Sequence, residues 1–121
     1  MAEPVTVLHV DDNGGFLHLT RELIQEADAD LSLISVQDGD TALETLNSND
    51  EIDCVLSDYD MPRMDGIDLL DAVRERFPDF PFILFTGKGS EEVASEAISR
   101  GVTDYLQKGT GPNTYDLLAN R

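Results

Sequence analysis

Val5-Thr6-Val7-Leu8-His9-Val10-Asp11-Asp12 is an apolar run that stops on two carboxylates, with Gly14-Gly15 just beyond. A short, continuous run of this kind reads as a strand buried on both faces, the type that belongs to parallel sheets. After the glycines, Phe16, Leu19, Leu23 and Ile24 share one stripe of a helix and are expected in the core. The same alternation continues down the chain. Leu31 to Val36 reads as a strand, and Thr41 to Leu46 as a short helix capped by Asp38 or Asp40. Cys54-Val55-Leu56-Ser57 is a third strand, and Ile67, Leu70 and Val73 mark a helix that must end before Pro78. Phe82 to Phe85 is a fourth strand, followed by a helix from Ser90 to Arg100 that Gly101 stops. Tyr105-Leu106-Gln107 is a fifth strand, and Pro112 to Asn120 reads as a last helix. Strands alternating with helices predict an α/β fold built on a five-stranded parallel sheet with helices on both faces.

The last helix reaches Arg121 with no cap, and its apolar face is only Tyr115, Leu118 and Leu117. It looks truncated, so residues 1–121 are expected to be one domain excised from a longer chain. The 121 residues, 40% of them hydrophobic, suffice to bury roughly two thirds of the surface of the unfolded chain. Neither disulfides nor a structural metal is needed. Cys54 is the single cysteine, so no intrachain disulfide and no standard zinc set can form, which points to a reducing compartment. No apolar run approaches the roughly 18 residues of a membrane span, and Met1-Ala2-Glu3-Pro4 lacks a basic secretory region. The chain is expected in the cytoplasm, away from membranes.

The 25 acidic residues outnumber the 8 basic ones, for a formal charge of −17. Such a surface has few cations to offer a phosphate polymer, so direct nucleic-acid binding is not expected. The acids are 16 Asp and 9 Glu, and the bases 6 Arg and 2 Lys, Lys88 and Lys108. Strong salt shortens the Debye length to about 3 Å or less and makes a dense carboxylate surface tolerable, so the balance predicts a halophilic source.

In an open parallel sheet, ligands bind beyond the carboxyl ends of the strands. Strand one runs into Asp11-Asp12, strand three into Asp58, strand four into Thr86 and strand five into Lys108. The sheet therefore gathers three carboxylates, a hydroxyl and a lysine at one edge. Three carboxylates so close repel one another and call for a cation; all-oxygen ligands with room for water suit Mg²⁺. A charge of −3 is balanced by +2 from the metal and +1 from Lys108, leaving a site ready to accept one more anionic group. A phosphoryl group fits, with a carboxylate attacking phosphorus in line.

These residues resemble the receiver domain of two-component response regulators. The resemblance is carried by Asp11-Asp12, by Asp58-Tyr59-Asp60-Met61-Pro62-Arg63-Met64-Asp65-Gly66, by Thr86-Gly87 and by Gly101-Val102-Thr103-Asp104-Tyr105-Leu106-Gln107-Lys108. It covers essentially the whole chain, and its order and strand placement make it specific. It implies a doubly wound sheet in the order 2-1-3-4-5, as in the chemotaxis-type receivers. It implies Asp58 as the phosphoacceptor, with Asp12, Asp58, the main-chain carbonyl of Asp60 and, mostly through water, Asp11 holding Mg²⁺. Lys108 and Thr86 would contact the phosphoryl group, and Thr86 and Tyr105 would form the switch. The partners implied are a histidine kinase or phosphotransfer protein, and a second receiver or an output domain on the face of helix four, strand five and helix five. Such a domain is not an enzyme in the usual sense; it catalyses its own phosphorylation and slow dephosphorylation. Three positions depart from the pattern or tune it: Gly109 stands where a proline usually follows the lysine, and Asp60 and Lys88 occupy places that set the rate of hydrolysis in the family.

Blander readings weigh less than this convergence. Asp11 and Asp12 suit a helix N-terminus, Asp58 a turn, Thr86 a plain strand end and Lys108 a solvated surface. Tyr105 would ordinarily pack with its hydroxyl in water. Cys54 reads as an inert core thiol, His9 and His18 as structural, and Met61 and Met64 as packing near the site. A second class is a phosphatase: Asp58-Tyr59-Asp60 with Thr86 and Lys108 also resembles haloacid-dehalogenase-type enzymes, although their aspartate pair sits at the first strand. A third class is a receiver-like interaction module that is never phosphorylated.

Overall fold

The computed structural model describes residues 5–27, 31–86 and 91–107. In chain order the elements are β1 (Val5–Val10), α1 (Gly14–Ala27), β2 (Leu31–Val36), α2 (Gly39–Ser48), β3 (Cys54–Ser57), α3 (Gly66–Arg76), β4 (Phe82–Thr86), α4 (Glu91–Ser99) and β5 (Asp104–Gln107). The strands form one parallel sheet in the order β2-β1-β3-β4-β5. Each strand lies within one residue of the stretch expected from the sequence, and the order is the one the resemblance implies. The last helix, at 112–120, lies outside the described residues.

Two cores sandwich the sheet. On one face Leu8, Val10, Val55, Phe82 and Leu84 meet Ala42 and Leu46 of α2, Ile67, Leu70 and Val73 of α3 and Ala97 of α4. On the other, Leu31, Leu33, Leu56, Ile83 and Phe85 pack with Val7 and with Phe16 of α1. Successive strand residues thus alternate between the two cores, and both alternates are apolar, which explains the unbroken hydrophobic runs. The division of helices also follows from right-handed crossovers: β1 to β2 moves one way along the sheet, and every later step moves the other.

The stripe expected on α1 needs correction. Leu17 and Thr20 are buried, Phe16 and Leu23 are half-buried, and Leu19 is 48% exposed. The helix is rotated so that a threonine faces the core, and a polar residue on the inner face misleads a reading by hydrophobicity alone; the Ile24 side chain lies outside the described residues. Asp38, one of the two candidates, caps α2 by accepting the Thr41 N–H at 2.7 Å. α3 starts with a reciprocal capping box between Asp65 and Asp68, and α4 ends at Gly101 with φ of 88°.

At the end of the sheet remote from the strand C-termini, Arg74 ties three segments together. Its guanidinium donates to the Gly101 carbonyl at 3.0 and 2.7 Å, to the Phe80 carbonyl, and to Thr103 Oγ1 at 3.5 Å. Thr103 Oγ1 accepts in turn from the Phe82 N–H at 2.9 Å, while the Thr103 N–H donates to the Phe82 carbonyl at 2.8 Å. The α3–β4 and α4–β5 connections are thereby fixed to one side chain. Arg100 adds ion pairs to Asp71 and Glu96, which are exposed to water and contribute little.

Cys54 lines an apolar groove of about 530 Å³ on the α1 face. Burial, with the Asp53 carboxylate adding to it, pushes its thiol up to about 12. The inert-thiol reading fits this position.

Hydrogen bonds from a charged donor to backbone carbonyls contribute about 1.5–3 kcal/mol each when one partner is removed. Replacing Arg74 by methionine is expected to lower stability in urea by about 2 kcal/mol, with lysine recovering little because it lacks the planar fork. A loss below about 0.5 kcal/mol, within the range of ordinary surface changes, would show that the tie is idle.

Cys54 also links stability to alkaline pH. The folded state keeps its proton up to about 12, whereas the unfolded thiol titrates near 9.0. Stability should fall as pH rises through that interval, by at most about 1.4 kcal/mol per pH unit. The difference between wild type and Cys54→Ser in alkaline denaturation isolates this slope; identical profiles would contradict it.

Candidate functional site

β1 and β3 are neighbours at the centre of the sheet, and each ends in an acid. The pairing extends one residue past the strands: the Asp58 N–H donates to the Val10 carbonyl at 2.8 Å, and the Asp11 N–H to the Val36 carbonyl at 3.1 Å. These backbone bonds leave Asp11 and Asp58 little freedom to separate. Carboxylate oxygens of Asp11, Asp12 and Asp58 all lie within 4.8 Å of one another. Asp11 and Asp58 are buried, at 1% and 7% exposure, while Asp12 faces solvent. Two acids under cover and one open to water form a cup accessible from one side.

The helix-capping explanation for the first acid pair fails on local geometry. Asn13, not Asp11 or Asp12, caps α1: its Oδ1 accepts the Phe16 N–H at 3.1 Å and its carbonyl accepts the Leu17 N–H. Asp11 Oδ1 accepts the Asn13 N–H at 2.9 Å, which orients that carboxylate. Asp12 is left without a capping duty.

On the β3 side, Ser57 Oγ donates to the Asp58 carbonyl at 2.9 Å, and the Gly66 N–H closes the following loop on the Tyr59 carbonyl at 2.8 Å. α3 starts directly against this backbone. A Cβ on Gly66 would collide with the Asp58 carbonyl oxygen and stand 2.6 Å from Leu84 Cδ1. Only glycine fits there, so the glycine that ends the Asp58-to-Gly66 stretch lets α3 brace the acid from below.

The charge around the loop is negative. Asp65 first, then burial and the carboxylates of Glu96, Asp60 and Asp68, hold the Tyr59 phenol above its ordinary range. Asp60 is exposed, and its side chain is not a member of the three-carboxylate group. Its expected contribution is a main-chain carbonyl.

Thr86 closes β4 and pairs with Gln107 of β5, so its backbone stands at the same edge as the acids. Its side chain, the residues 87–90 that follow and Lys108, the next residue after β5, lie outside the described residues. Tyr105 is half-buried against the α2–α3–α4 core. Its hydroxyl is buried with no hydrogen-bond partner among the described residues, and burial raises its pKa. An inward hydroxyl departs from the surface tyrosine of the blander reading. His18 is exposed and pairs with Glu22 at 3.2 Å, and His9 is fully buried beside the Phe16 ring.

Three carboxylates converging on a solvent-open cup offer only oxygen donors, two of them prealigned. That donor set fits a hard divalent cation that keeps part of its water shell, and Mg²⁺ is the ordinary choice. A carboxylate held beside such a cation is also a nucleophile for an electrophilic phosphorus.

Comparison with known proteins agrees with the fold. The family model described as "Response regulator receiver domain" matches residues 7–118. Regulatory protein LuxO of Vibrio cholerae is 34% identical over 99 residues, covering 82% of this chain and 21% of LuxO. The nitrate/nitrite response regulator protein NarL of Escherichia coli is 32% identical over 117 residues, covering 96% of this chain and 52% of NarL. The chain thus spans between about a fifth and about half of these relatives. Among solved structures, the Vibrio cholerae chemotaxis protein CheY4 superposes with a TM-score of 0.83 at 28% identity, covering 97% of this chain and 95% of that one. A receiver domain protein from Clostridium thermocellum shares the fold with a TM-score of 0.85 at 24% identity, covering 96% and 91% of the two chains. With a family model spanning nearly all of its residues, a sheet in the order β2-β1-β3-β4-β5 and three acids gathered at the ends of β1 and β3, the chain belongs to the response regulator receiver domains.

Proposed function

We propose that residues 1–121 form one receiver domain that takes a phosphoryl group onto Asp58 from a phosphohistidine of a sensor kinase or phosphotransfer protein. The observation that carries this reading is the grouping of Asp11, Asp12 and Asp58 within 4.8 Å at the carboxyl edge of the sheet. Asp12, Asp58, the Asp60 carbonyl and, through water, Asp11 would hold Mg²⁺. When bound, the cation screens the carboxylates and the incoming phosphoryl oxygens from each other.

A carboxylate oxygen of Asp58 forms the new O–P bond as the P–N bond of the donor breaks. The bonding pair leaves with the imidazole nitrogen, which then picks up a proton from solvent. Lys108 pairs with a phosphoryl oxygen and Thr86 donates a hydrogen bond to another. Slow reversal uses water: its oxygen attacks phosphorus, the O–P bond to Asp58 breaks, and phosphate leaves with the Asp58 carboxylate restored. The domain thus promotes a single transfer to itself and is no general catalyst.

Movement of Thr86 toward the phosphoryl group draws in the residues before α4, and the Tyr105 ring follows. The buried hydroxyl of Tyr105, which has no hydrogen-bond partner among the described residues, supports this role, since a position that offered one would be preferred. The face of α4, β5 and the chain after it then presents a different surface to an output domain or a second receiver. Direct contact with nucleic acid or a membrane is not proposed, given the charge of −17. The setting proposed is the cytoplasm of a halophile, supported by the acid excess and the near absence of lysine.

Incubation with Mg²⁺ and acetyl phosphate should add one phosphoryl mass to the intact chain, and Asp58→Asn should abolish the addition. Modification that survives Asp58→Asn would contradict the assignment. Steady turnover of a small phosphate ester, lost in Asp60→Asn, would favour a phosphatase, and absence of any mass change in folded protein would favour an unphosphorylated module.

The halophilic setting is read separately. The melting temperature should fall on transfer from multimolar to millimolar salt, as carboxylate repulsion regains its range. An unchanged melting temperature would remove that part of the proposal.

A further inference from the structure

Arg63 is the one non-glycine residue with positive φ among the described residues, at 67°. The Met64 N–H donates to the Pro62 carbonyl at 2.8 Å, so Pro62, Arg63 and Met64 close a γ-turn around a left-handed residue, the rare and strained form. Glycine or asparagine takes this backbone more easily than arginine. Strain of this kind is retained where neighbouring structure enforces it, often beside functional groups.

The turn belongs to the loop from Asp58 to Asp65, which the Gly66-to-Tyr59 hydrogen bond closes at its base. The far flank of that loop rests on α2: the Met64 sulfur stands 2.5 Å from where a Cβ on Gly39 would be. The loop therefore reaches from the end of β3 to the helix that follows β2. β1 lies between those two strands, and its end carries Asp11 and Asp12. Arg63 accordingly stands on the loop that leaves Asp58, at the same edge of the sheet as the carboxylate cup, and is exposed to solvent. Its charge reaches Asp38 at the start of α2, whose carboxyl is held low first by hydrogen bonds from Thr41 and further by Arg63.

No other described cation occupies this loop. Arg21 donates to the Leu33 carbonyl and Ser35 Oγ at the β2 edge, Arg74 and Arg100 hold the opposite end of the sheet, and Arg76 is in the last turn of α3. The acids carried by the neighbouring segments are Asp12 after β1, Asp38 and Asp40 at the start of α2, and Asp60 and Asp65 in the loop itself. Among the described residues Arg63 is thus the cation that an anionic phosphodonor approaching Asp58 would meet on this loop, in addition to the charge that Mg²⁺ and Lys108 would supply inside the site.

We propose that Arg63 is a positioning residue for the phosphodonor, its strained turn holding a guanidinium at the same edge as the carboxylate cup so that the anionic phosphoryl group is drawn toward Asp58. This rests on Asp58 being the phosphoacceptor. It separates Arg63 from a purely structural loop residue by the sign of two effects. A cation at this edge favours an anionic donor and opposes a bound Mg²⁺, whereas a structural residue supports both.

The test compares wild type with Arg63→Asn, Arg63→Gly and Arg63→Lys, using acetyl phosphate and Mg²⁺. Initial phosphorylation rates are measured at the lowest salt that keeps all four folded by circular dichroism, and again in strong salt. Mg²⁺ affinity is measured by calorimetry without donor. Asn and Gly should slow phosphorylation about two- to five-fold in the lower salt, with the gap closing in strong salt, and should bind Mg²⁺ more tightly by a similar factor. Lys should retain the wild-type rate. Equal rates in all four proteins, rate and Mg²⁺ affinity falling together, or Lys behaving as Asn does would overturn the role of Arg63 while leaving Asp58 in place. An unmodified wild type would instead overturn the phosphoacceptor reading itself, and this inference with it.

Discussion

Mutual repulsion among three carboxylates is the constraint around which the molecule is arranged. Side chains carrying like charge and free to move would spread apart; here Asp11 and Asp58 are fastened by backbone hydrogen bonds that continue the β1–β2 and β1–β3 ladders. The fold supplies the rigidity that keeps such an arrangement in place. Apolar layers on both faces clamp the central strands, and α3 abuts the Asp58 backbone with no room for any side chain at Gly66. Carboxylates held this close are compatible with a divalent cation between them.

The two ends of the sheet are built to opposite purposes. At the N-terminal ends of the strands, one arginine satisfies carbonyls from two connections, and loops there are fixed by cation-to-backbone bonds. At the C-terminal ends, acids gather, a strained turn persists at Arg63, and the tyrosine hydroxyl of Tyr105 is buried without a described partner. Among the described residues, strained backbone thus falls at one end of the sheet and cation-to-carbonyl bonds at the other.

Much of this was legible in the residues. Strand positions followed from unbroken apolar runs, because a sheet covered on both faces leaves no polar alternation to blur the ends. The gathering of Asp11, Asp12 and Asp58 followed from asking what terminates each run. α1 was less transparent: Thr20 faces inward and Leu19 outward, an inversion that hydrophobic spacing cannot reveal. Asp38 and Asp40 were equivalent as caps until the backbone at Asp38 proved extended and its side chain met Thr41. Arg74 and Arg63 gave no local signal at all. The role of Arg74 depends on carbonyls 6 and 27 residues away, and the backbone of Arg63 runs against its own preference.

The central claim is that the three acids together hold a divalent cation next to Asp58. A crystal grown or soaked with Mn²⁺, with data collected at the manganese absorption edge, tests it directly. The account predicts one anomalous peak in the cup, within about 2.0–2.5 Å of carboxylate oxygens from both Asp12 and Asp58. An empty cup in crystals that show manganese elsewhere on the acidic surface would contradict it.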